Sequence, residues 1–365
     1  MRKIIVISAV NIVEGGTLTV LRDCVNAARE SLKDWRIIVM VHDSELIKTD
    51  GVEVRAFPRV KSSWLRRIWI EWVEFRNISE EIRPDIWLSL HDITPRVKAV
   101  RQVVYCHNPA IFYRVTSREA VFEPKLLLFN WFYGIIYRAF IHRNSHVIVQ
   151  QQWIRDEFKR RFGNLPLVVA QPCSDSSENH GEVRPGKPVV FLYPALPRVF
   201  KNFEILGEAA EILQSRGVSG FEVRLTVSGR ENRYAHWLKK RFGRTPPVRF
   251  IGRQNFQQMK FQYSEASAIV FPSKLETWGL PITEAKSYGL PVLVADAPYA
   301  NETVGNYDAV SFFPPNRPEI LANLMQDLIV GTWNPTGNIG KPLDSPFARN
   351  WSELFQIITK NLNDW

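Results

Sequence analysis

The stretch that decides the fold reads Ala268-Ile-Val-Phe-Pro-Ser-Lys-Leu-Glu-Thr-Trp-Gly-Leu-Pro-Ile-Thr-Glu-Ala-Lys-Ser-Tyr-Gly-Leu-Pro-Val-Leu-Val-Ala295. Its two ends, residues 268–271 and 291–294, are short β-branched runs without alternation, which is typical of buried parallel strands. Between them, residues 279–281 turn the chain, and residues 282–288 begin a helix. Strand, turn, helix and strand together predict one unit of a parallel α/β sheet.

The same alternation continues in both directions along the chain. Apolar residues spaced three and four apart at positions 18, 21, 25, 28 and 32 predict an amphipathic helix after the first strand. Residues 171–187 are rich in Ser, Pro, Gly, Asn and charge, which indicates an exposed connector. We therefore predict two Rossmann-like domains, residues 1–180 and 185–344, whose parallel sheets face a central cleft. The remaining predicted strands are residues 3–8, 36–41, 85–89, 102–106, 146–149, 188–193, 222–227 and 248–251.

Composition limits the class of protein. The formal charge of +10 favours polyanionic partners, whether nucleotide phosphates, nucleic acid or an anionic membrane surface. Three cysteines, Cys24, Cys106 and Cys173, form neither a disulfide framework nor a zinc pattern. The apolar run at residues 4–7 is too short for a signal peptide, and no run of about 18 apolar residues could span a bilayer. We expect a cytoplasmic protein.

Two acidic residues flank the glycine turn of the opening stretch. Glu276 lies in the loop, and the pattern places Glu284 in the first turn of the helix. A helix N terminus presents unpaired N–H groups that suit a phosphate, whereas a carboxylate there accepts hydrogen bonds from sugar hydroxyls. Taken alone, Glu284 is better explained as an ordinary residue of a helix N terminus, where Glu complements the helix dipole.

Gly15 and Gly16 follow the first strand, where glycines let the backbone approach a phosphate, but without other evidence a tight turn explains them better. The dinucleotide pattern G-x-G-x-x-G is absent, which argues against a dehydrogenase. Arg198 and Lys201 follow the strand at 188–193 and could neutralise a leaving diphosphate, or they are solvated surface charges.

Further candidates stand where predicted strands end. His107 follows residues 102–106, and His91 with Asp92 follows residues 85–89, although a lone His is more often structural. Gly229 and Gly252 follow two later strands and could border a base pocket, or they are ordinary turns.

Residues 271–296 resemble the signature of glycosyltransferase family 4, with two Glu separated by seven residues, then Ala, Gly, Pro-Val and a short strand. The resemblance extends across most of residues 188–305 and, more weakly, through the N-terminal half. It implies a GT-B fold with an N-terminal acceptor domain, a C-terminal donor domain and a closing segment, residues 345–365, that crosses back to the first domain. It also implies a retaining hexosyltransferase that moves a sugar from a nucleotide diphosphate sugar to a hydroxyl of a glycan or lipid-linked glycan.

The resemblance assigns roles residue by residue. It implies that Glu276 contacts the donor sugar, that Glu284 contacts the ribose, and that His107 lies near the reacting centre. Lys201 fits a family lysine, but Leu196 stands five residues earlier where the family has arginine, so Arg198 is assigned as a substitute. The predicted catalytic residues are His107, Glu276 and Lys201. The predicted donor contacts are Gly15, Gly16, Arg198, Lys201, Gly229, Gly252, Glu276, Thr277, Trp278, Gly279, Leu280 and Glu284, and the predicted acceptor contacts are His91 and Asp92.

No Asp-x-Asp pair occurs in the sequence, so we expect no metal and no cofactor besides the nucleotide sugar. Two alternatives remain: a sugar-nucleotide epimerase or hydrolase of the same fold, and a basic nucleic-acid-binding protein, although no nucleic-acid motif is present. The resemblance favours cell-surface polysaccharide or lipopolysaccharide biosynthesis.

Two aromatic and basic segments bear on location. Residues 63–76 are dense in Trp and Arg, which fits either an interfacial membrane helix or a helix packed on the sheet. Residues 125–138 are nearly all apolar, which favours burial. Peripheral contact with an anionic membrane, at the inner face of the cell membrane, is therefore one expectation.

Overall fold

The computed structural model describes residues 2–13, 15–172 and 188–362. Cys173 and most of the predicted connector lie outside the described residues. The strands are β1 (Ile4–Ser8), β2 (Arg36–Val41), β3 (Glu53–Ala56), β4 (Ile86–Ser89), β5 (Arg101–Cys106), β6 (His146–Val149), β7 (Leu167–Ala170), β8 (Val189–Tyr193), β9 (Phe221–Leu225), β10 (Val248–Phe250), β11 (Ala268–Phe271), β12 (Val292–Ala295), β13 (Val310–Phe313) and β14 (Phe347–Ala348). The helices are α1 (Gly16–Ser31), α2 (Trp64–Trp69), α3 (Phe75–Ile82), α4 (Ser117–Phe122), α5 (Pro124–Arg138), α6 (Gln152–Phe162), α7 (Glu204–Ser215), α8 (Arg233–Phe242), α9 (Phe256–Glu265), α10 (Leu280–Ser287), α11 (Ala300–Val304), α12 (Pro318–Val330) and α13 (Trp351–Thr359).

The chain divides into two compact units. As far as they are described, the first comprises residues 1–112, 129–173 and 343–365, and the second comprises residues 113–128 and 174–342. The sequence reading did not separate residues 113–128 from the N-terminal domain. Phe122, at the end of α4, contacts the rings of Tyr234 and Trp237 of the second unit. These aromatic contacts explain why a short segment of the N-terminal half belongs to the second unit.

The first unit is built on an eight-stranded sheet of described residues in the order β14-β7-β6-β5-β4-β1-β2-β3, in which every recorded pairing is parallel. The chain runs outward to β2 and β3 from β1, then returns to β4 on the other side. This reversal between β1 and β4 is a topological switch point, where open parallel sheets bind ligands at the carboxyl ends of their strands. Helices α1 and α13 cover one face, with Leu21, Val25, Leu354 and Ile358 in a single core with the strands.

The second unit contains a six-stranded sheet of described residues in the order β10-β9-β8-β11-β12-β13, also parallel in every recorded pairing. Its switch point lies between β8 and β11. Strands β11 and β12 are buried at every residue, as the unbroken apolar runs of the sequence predict. Two parallel α/β sheets confirm the predicted fold class.

The helix of the opening stretch begins earlier than the sequence predicts. Helix α10 starts at Leu280, so Glu284 is its fifth residue, and its first turn contains no acidic residue. The prediction that Glu284 lies in the first turn is therefore wrong. Gly279 adopts a left-handed conformation with φ of 90°, and Pro281 fits a first helical turn because the N–H it lacks would have no partner there. Together they start the helix within the segment that looked like a turn.

The two aromatic segments are helical in the first unit and at its boundary. Residues 63–76 contain α2, a π-helical stretch at Ile70–Glu74 and the start of α3. Burial of α5 is only partial: Leu126, Tyr133 and Tyr137 are buried, but four apolar side chains are at least half exposed. They are Leu127, Leu128, Phe132 and Ile135. The expectation of a buried helix at residues 125–138 is therefore wrong, because α5 is apolar all round and the sheet covers only one face. Among the described residues, no helix is long and apolar enough to cross a membrane.

Candidate active site

The carboxyl edge of the second sheet brings Lys201 and Glu276 together. Lys201 follows β8 and Glu276 follows β11, the two strands at the switch point. The Lys201 Nζ forms an ion pair with the Glu276 Oε1, and the two side chains are only 17% and 12% exposed. The sequence assigns both residues to a donor site but does not predict that they form an ion pair, since 75 positions separate them.

Neighbouring buried groups fix the position of Lys201. Asn202 takes a left-handed conformation, and its Nδ2 donates to the carbonyls of Pro272 at 3.2 Å and Pro315 at 2.7 Å. The Tyr193 hydroxyl donates to the Lys201 carbonyl at 2.8 Å. Burial raises the pKa of Tyr193, and the charge of Glu276 raises it further, so this hydroxyl stays a donor. Lys201 is thus held by its backbone while its ammonium group faces Glu276.

Helix α10 begins at Leu280, shortly after Glu276 in the chain. Within the described part of the chain no side chain caps the helix, but Pro281 has no N–H and the Ile282 N–H donates to the Gly279 carbonyl at 2.9 Å. What this end of the helix offers an anion is therefore mainly the positive end of its dipole. A Cβ on Gly279 would lie 3.3 Å from the Phe271 Cε1, and its φ of 90° disfavours any other residue. The Trp278 Nε1 donates to the Thr283 Oγ1 at 3.0 Å, and its carbonyl accepts from the Thr303 hydroxyl. The turn is therefore rigid. Thr277 and Leu280 flank it as half-buried residues.

Glu284 is exposed and has one hydroxyl donor in the described structure. The Tyr263 hydroxyl donates to its Oε2 at 2.5 Å, and the Tyr263 ring stacks on Tyr288 with centroids 5.2 Å apart. Burial of Tyr263, together with the nearby Glu284 charge, raises the pKa of the tyrosine. One carboxylate oxygen of Glu284 is thus oriented by a buried donor.

Arg198 forms an ion pair that the sequence does not predict. Its Nε donates to the Glu123 Oε2 at 2.7 Å, and the other Glu123 oxygen accepts the Val199 N–H at 2.9 Å. A second carboxylate of the same segment, Glu119, lies 3.4 Å from the Lys274 Nζ. Sequence reasoning missed both glutamates because they lie in residues 113–128, far along the chain from the rest of the second unit. The capping-box spacing Thr116-x-x-Glu119 was a signal only of a helix start.

Gly229 and Gly252 follow β9 and β10 and therefore share the carboxyl edge with Lys201 and Glu276. Both have positive φ, 91° and 73°. A Cβ on Gly229 would lie 2.5 Å from the Lys239 Cβ, so a close approach of α8 requires glycine here. For Gly252 the conformation alone favours glycine.

In the first unit, Gly15 and Gly16 stand between β1 and α1. Gly15 has φ of 71° and precedes a helix that, among the described residues, has neither a side-chain cap nor an acid in its first turn. The uncapped N terminus of α1 thus lies at the carboxyl end of β1, beside the switch point of its sheet.

His91, Asp92 and His107 gather at the same edge of the first sheet. Asp92 adopts φ of 67°, and its Oδ1 accepts the N–H groups of His107 at 2.6 Å and Asn108 at 3.0 Å. Burial lowers the pKa of His107, and the opposing effect of Asp92 is smaller. His91 is almost fully buried. Asp92 therefore anchors the His107 loop through the backbone, a role that the sequence reading did not give it.

Solved structures of the same architecture define the class of the fold. A glycosyltransferase from Rickettsia africae is 12% identical, covers 99% of both chains and has a TM-score of 0.67. The HepE protein of Anabaena in complex with UDP is 17% identical over 99% of this chain and 95% of its own, with a TM-score of 0.62. At these identities the likeness concerns the fold, and the fold is GT-B.

The family follows from the sequence of the second unit. Residues 175–333 match the family described as glycosyl transferases group 1, so the chain carries a domain of that family. O-antigen chain mannosyltransferase B of Escherichia coli is 33% identical over 86 residues, 24% of this chain. O-antigen chain mannosyltransferase RfbU of Salmonella typhimurium is 39% identical over 59 residues, 16% of this chain. The aligned stretches span 22% and 17% of the two relatives. The predicted resemblance is confirmed for this domain.

Proposed function

We propose that the protein is a retaining, metal-independent glycosyltransferase that moves a sugar from a nucleoside diphosphate to a hydroxyl of a glycan or lipid-linked glycan. One observation carries the proposal: the Lys201–Glu276 pair stands at the switch point of the second sheet, within a glycosyl transferases group 1 domain. The two relatives described as O-antigen mannosyltransferases support a role in cell-surface polysaccharide or lipopolysaccharide assembly.

The site residues suit the charges of a nucleoside diphosphate sugar. Lys201 and the uncapped N terminus of α10 supply positive charge for the diphosphate, which replaces a metal ion in this proposal. Glu276 accepts hydrogen bonds from sugar hydroxyls, and Glu284, oriented by Tyr263, accepts those of the ribose. A bound diphosphate draws the Lys201 ammonium group toward itself and frees the Glu276 carboxylate for the sugar.

The transfer step keeps the configuration of the anomeric carbon. The bond from that carbon to the phosphate oxygen breaks, and a bond to the acceptor oxygen forms on the same face of the ring. The proton of the acceptor hydroxyl passes to the leaving phosphate oxygen. In this scheme Lys201 stabilises the charge that develops on the diphosphate, and His107 orients the reacting sugar.

Substitution at the ion pair tests the proposal. Glu276→Ala and Lys201→Ala should abolish release of the nucleoside diphosphate and formation of glycoside. Arg241→Ala is the matched control, because it removes a cation from an exposed ion pair with Glu211 elsewhere in the same unit. Turnover close to wild type in either site variant would refute the assignment. NMR of the product tests retention, and unchanged turnover in a chelator tests metal independence.

Product analysis without an acceptor separates the alternatives. Free sugar formed at the rate of nucleotide release would indicate a hydrolase, and an epimerised nucleotide sugar would indicate an epimerase. Slow release that increases on addition of acceptor is the expected result.

An exposed apolar face of the first unit supports peripheral membrane contact, which belongs to the same proposal. Leu65 is 78% exposed, Trp69 44% and Ile135 65%. Trp64 contacts Tyr133 with ring centroids 5.7 Å apart, so α2 and α5 are neighbours. Arg66 lies over the Trp69 ring at 4.4 Å. Aromatic, aliphatic and basic side chains on one surface suit an anionic membrane interface.

Flotation with anionic liposomes at low salt measures this contact. The wild-type protein should float, and Leu65→Glu should reduce flotation. Ile339→Glu in the second unit is the control, because Ile339 is 87% exposed and far along the chain from this face. Absence of flotation, or an equal loss in both variants, would remove the membrane from the proposal.

A further inference from the structure

A buried charged cluster lies at the carboxyl end of β4 in the first unit. Arg67 is 6% exposed, Glu71 0% and His91 3%. The Arg67 Nε donates to the Glu71 Oε1 at 2.8 Å, and its Nη2 donates to the His91 carbonyl at 3.0 Å. The His91 Nδ1 lies 3.3 Å from the same Glu71 oxygen. Glu71 thus stands between a cation and an imidazole, away from solvent.

Several polar atoms of this cluster lack hydrogen bonds. Within the described residues, the Glu71 Oε2, both ring nitrogens of His91 and the His107 Nε2 have no hydrogen-bond partner. Buried polar groups without partners are costly and uncommon in folded proteins. Apolar residues at positions 67 and 71 would pack without that cost. Glu71 also lies in the π-helical stretch Ile70–Glu74, a local irregularity found often at functional sites. The cluster therefore suits a functional role better than a stabilising one.

The cluster is connected to the predicted acceptor end of the site. His91 is followed directly by Asp92, whose carboxylate holds the N–H groups of His107 and Asn108. The Glu71 carbonyl accepts the Arg96 N–H at 3.0 Å. Both ends of the short segment from His91 to Arg96 are thus attached to the helix that carries Glu71.

We propose that Glu71 and His91 form a proton-sharing pair that decides whether the His91 Nε2 accepts or donates a hydrogen bond, which makes Glu71 a positioning residue for acceptor binding. In the proposed ionised state of Glu71, the His91 Nδ1–H turns toward the Glu71 Oε1, which lies 3.3 Å away without a hydrogen bond in this structure, and Nε2 carries a lone pair. When Glu71 takes up a proton, its O–H points to Nδ1, and the ring proton moves to Nε2. One proton is gained in total, and the imidazole is neutral in both states. This inference rests on the proposed transferase function.

Burial and the neighbouring charges indicate that Glu71, and not His91, takes up the proton. Burial raises the pKa of Glu71 to about 7, although the Arg67 guanidinium opposes the shift; Asp92 adds to it. Burial lowers the pKa of His91, and Arg67 and His107 lower it further, so the ring remains neutral. Tyr133 of α5 also faces the cluster, and burial raises its pKa, so its hydroxyl stays protonated. The group that titrates near neutral pH is therefore the Glu71 carboxyl.

Nitrogen NMR of the full-length protein, labelled in its histidine rings, tests the exchange without any need for activity. The His91 resonances, assigned with His91→Gln, should pass from the Nε2-protonated to the Nδ1-protonated tautomer between about pH 5.5 and about pH 8.5. Glu71→Gln should abolish this transition, whereas Glu80→Gln, which removes an exposed carboxylate of α3, should leave it intact. A single tautomer throughout this range in the wild-type protein would overturn the inference, even if Glu71→Gln failed to fold.

Kinetics then test the link to the acceptor. Glu71→Gln should raise the KM for the acceptor by about tenfold above neutral pH, the effect of about one hydrogen bond, and leave the KM for the donor unchanged. Equal acceptor KM values in Glu71→Gln and wild type would refute the positioning role. If the protein transfers no sugar to any acceptor, the proposed function fails, whereas the NMR transition stands or falls by itself.

Discussion

The proposed donor site depends on the Lys201–Glu276 ion pair, and the unfolding free energies of variants test whether the two residues interact. We consider Lys201→Ala, Glu276→Ala and the double variant. Breaking a buried pair from one side leaves an uncompensated charge and costs about 3–5 kcal/mol. The side chains are 17% and 12% exposed, so water partly solvates the remaining charge. We therefore expect each single variant to lose about 2–3 kcal/mol of unfolding free energy, somewhat less than a fully buried pair would.

The double variant removes both charges, so its loss should be smaller than the sum of the single losses. A coupling free energy of about 1–2 kcal/mol is expected from groups in direct contact. At about 2–4 °C of Tm per kcal/mol for a domain of this size, each single variant should melt about 5–10 °C lower. Denaturant and thermal unfolding followed by circular dichroism measure these values.

The same melts with a nucleoside diphosphate connect stability with binding. The wild-type protein should gain about 3 kcal/mol at a ligand concentration about 100 times its Kd, and both single variants should lose most of this gain. Single losses below about 0.5 kcal/mol that simply add in the double variant would show that the two residues do not interact. That result would refute the reasoning on which the donor site depends.

Three further predictions follow from individual contacts. Glu71→Gln should change the pH dependence of stability. Because burial raises the pKa of Glu71 to about 7, the wild type should lose up to about 3 kcal/mol of unfolding free energy as pH rises from about 4.5 through about 7, and urea melts at each pH should show no such loss in the variant. Parallel curves of unfolding free energy against pH in the two proteins would contradict this prediction. Gly279→Ala should lower the unfolding free energy by about 1–2 kcal/mol, because alanine is strained in the left-handed conformation and its Cβ would contact Phe271. The control Gly331→Ala should lose less, because φ is 77° there but a Cβ would meet nothing within 4 Å. Equal losses of Tm in the two variants would show that the contact with Phe271 contributes nothing. Tyr263→Phe removes the donor to Glu284 and should weaken nucleotide binding by about fivefold in calorimetry with little effect on Tm; unchanged affinity would exclude Glu284 from the ribose site.

The resemblance of residues 271–296 led to the right fold and family, and the strands predicted from apolar runs coincide with β2, β6 and β11. Strands β3, β7, β13 and β14 were not predicted. β3 is only partly buried and β14 is two residues long, so neither sequence contains the apolar run of a central strand. The start of α10 was misplaced because Gly279 and Pro281 are typical both of turns and of helix starts.

Apolar periodicity and the Glu276–Glu284 signature were enough, by themselves, to determine two parallel α/β sheets and the strand ends at which site residues stand, because both depend on residues close together in sequence. The partners of those residues depend on strand order and on long-range packing. Lys201 forms an ion pair with Glu276, which lies 75 positions later in the chain, and Arg198 forms one with Glu123, which lies 75 positions earlier. Only the tertiary structure brings His91 to Glu71 and excludes water from both. Burial then shifts the Glu71 pKa toward neutrality, because an ionised carboxylate is poorly solvated in the protein interior.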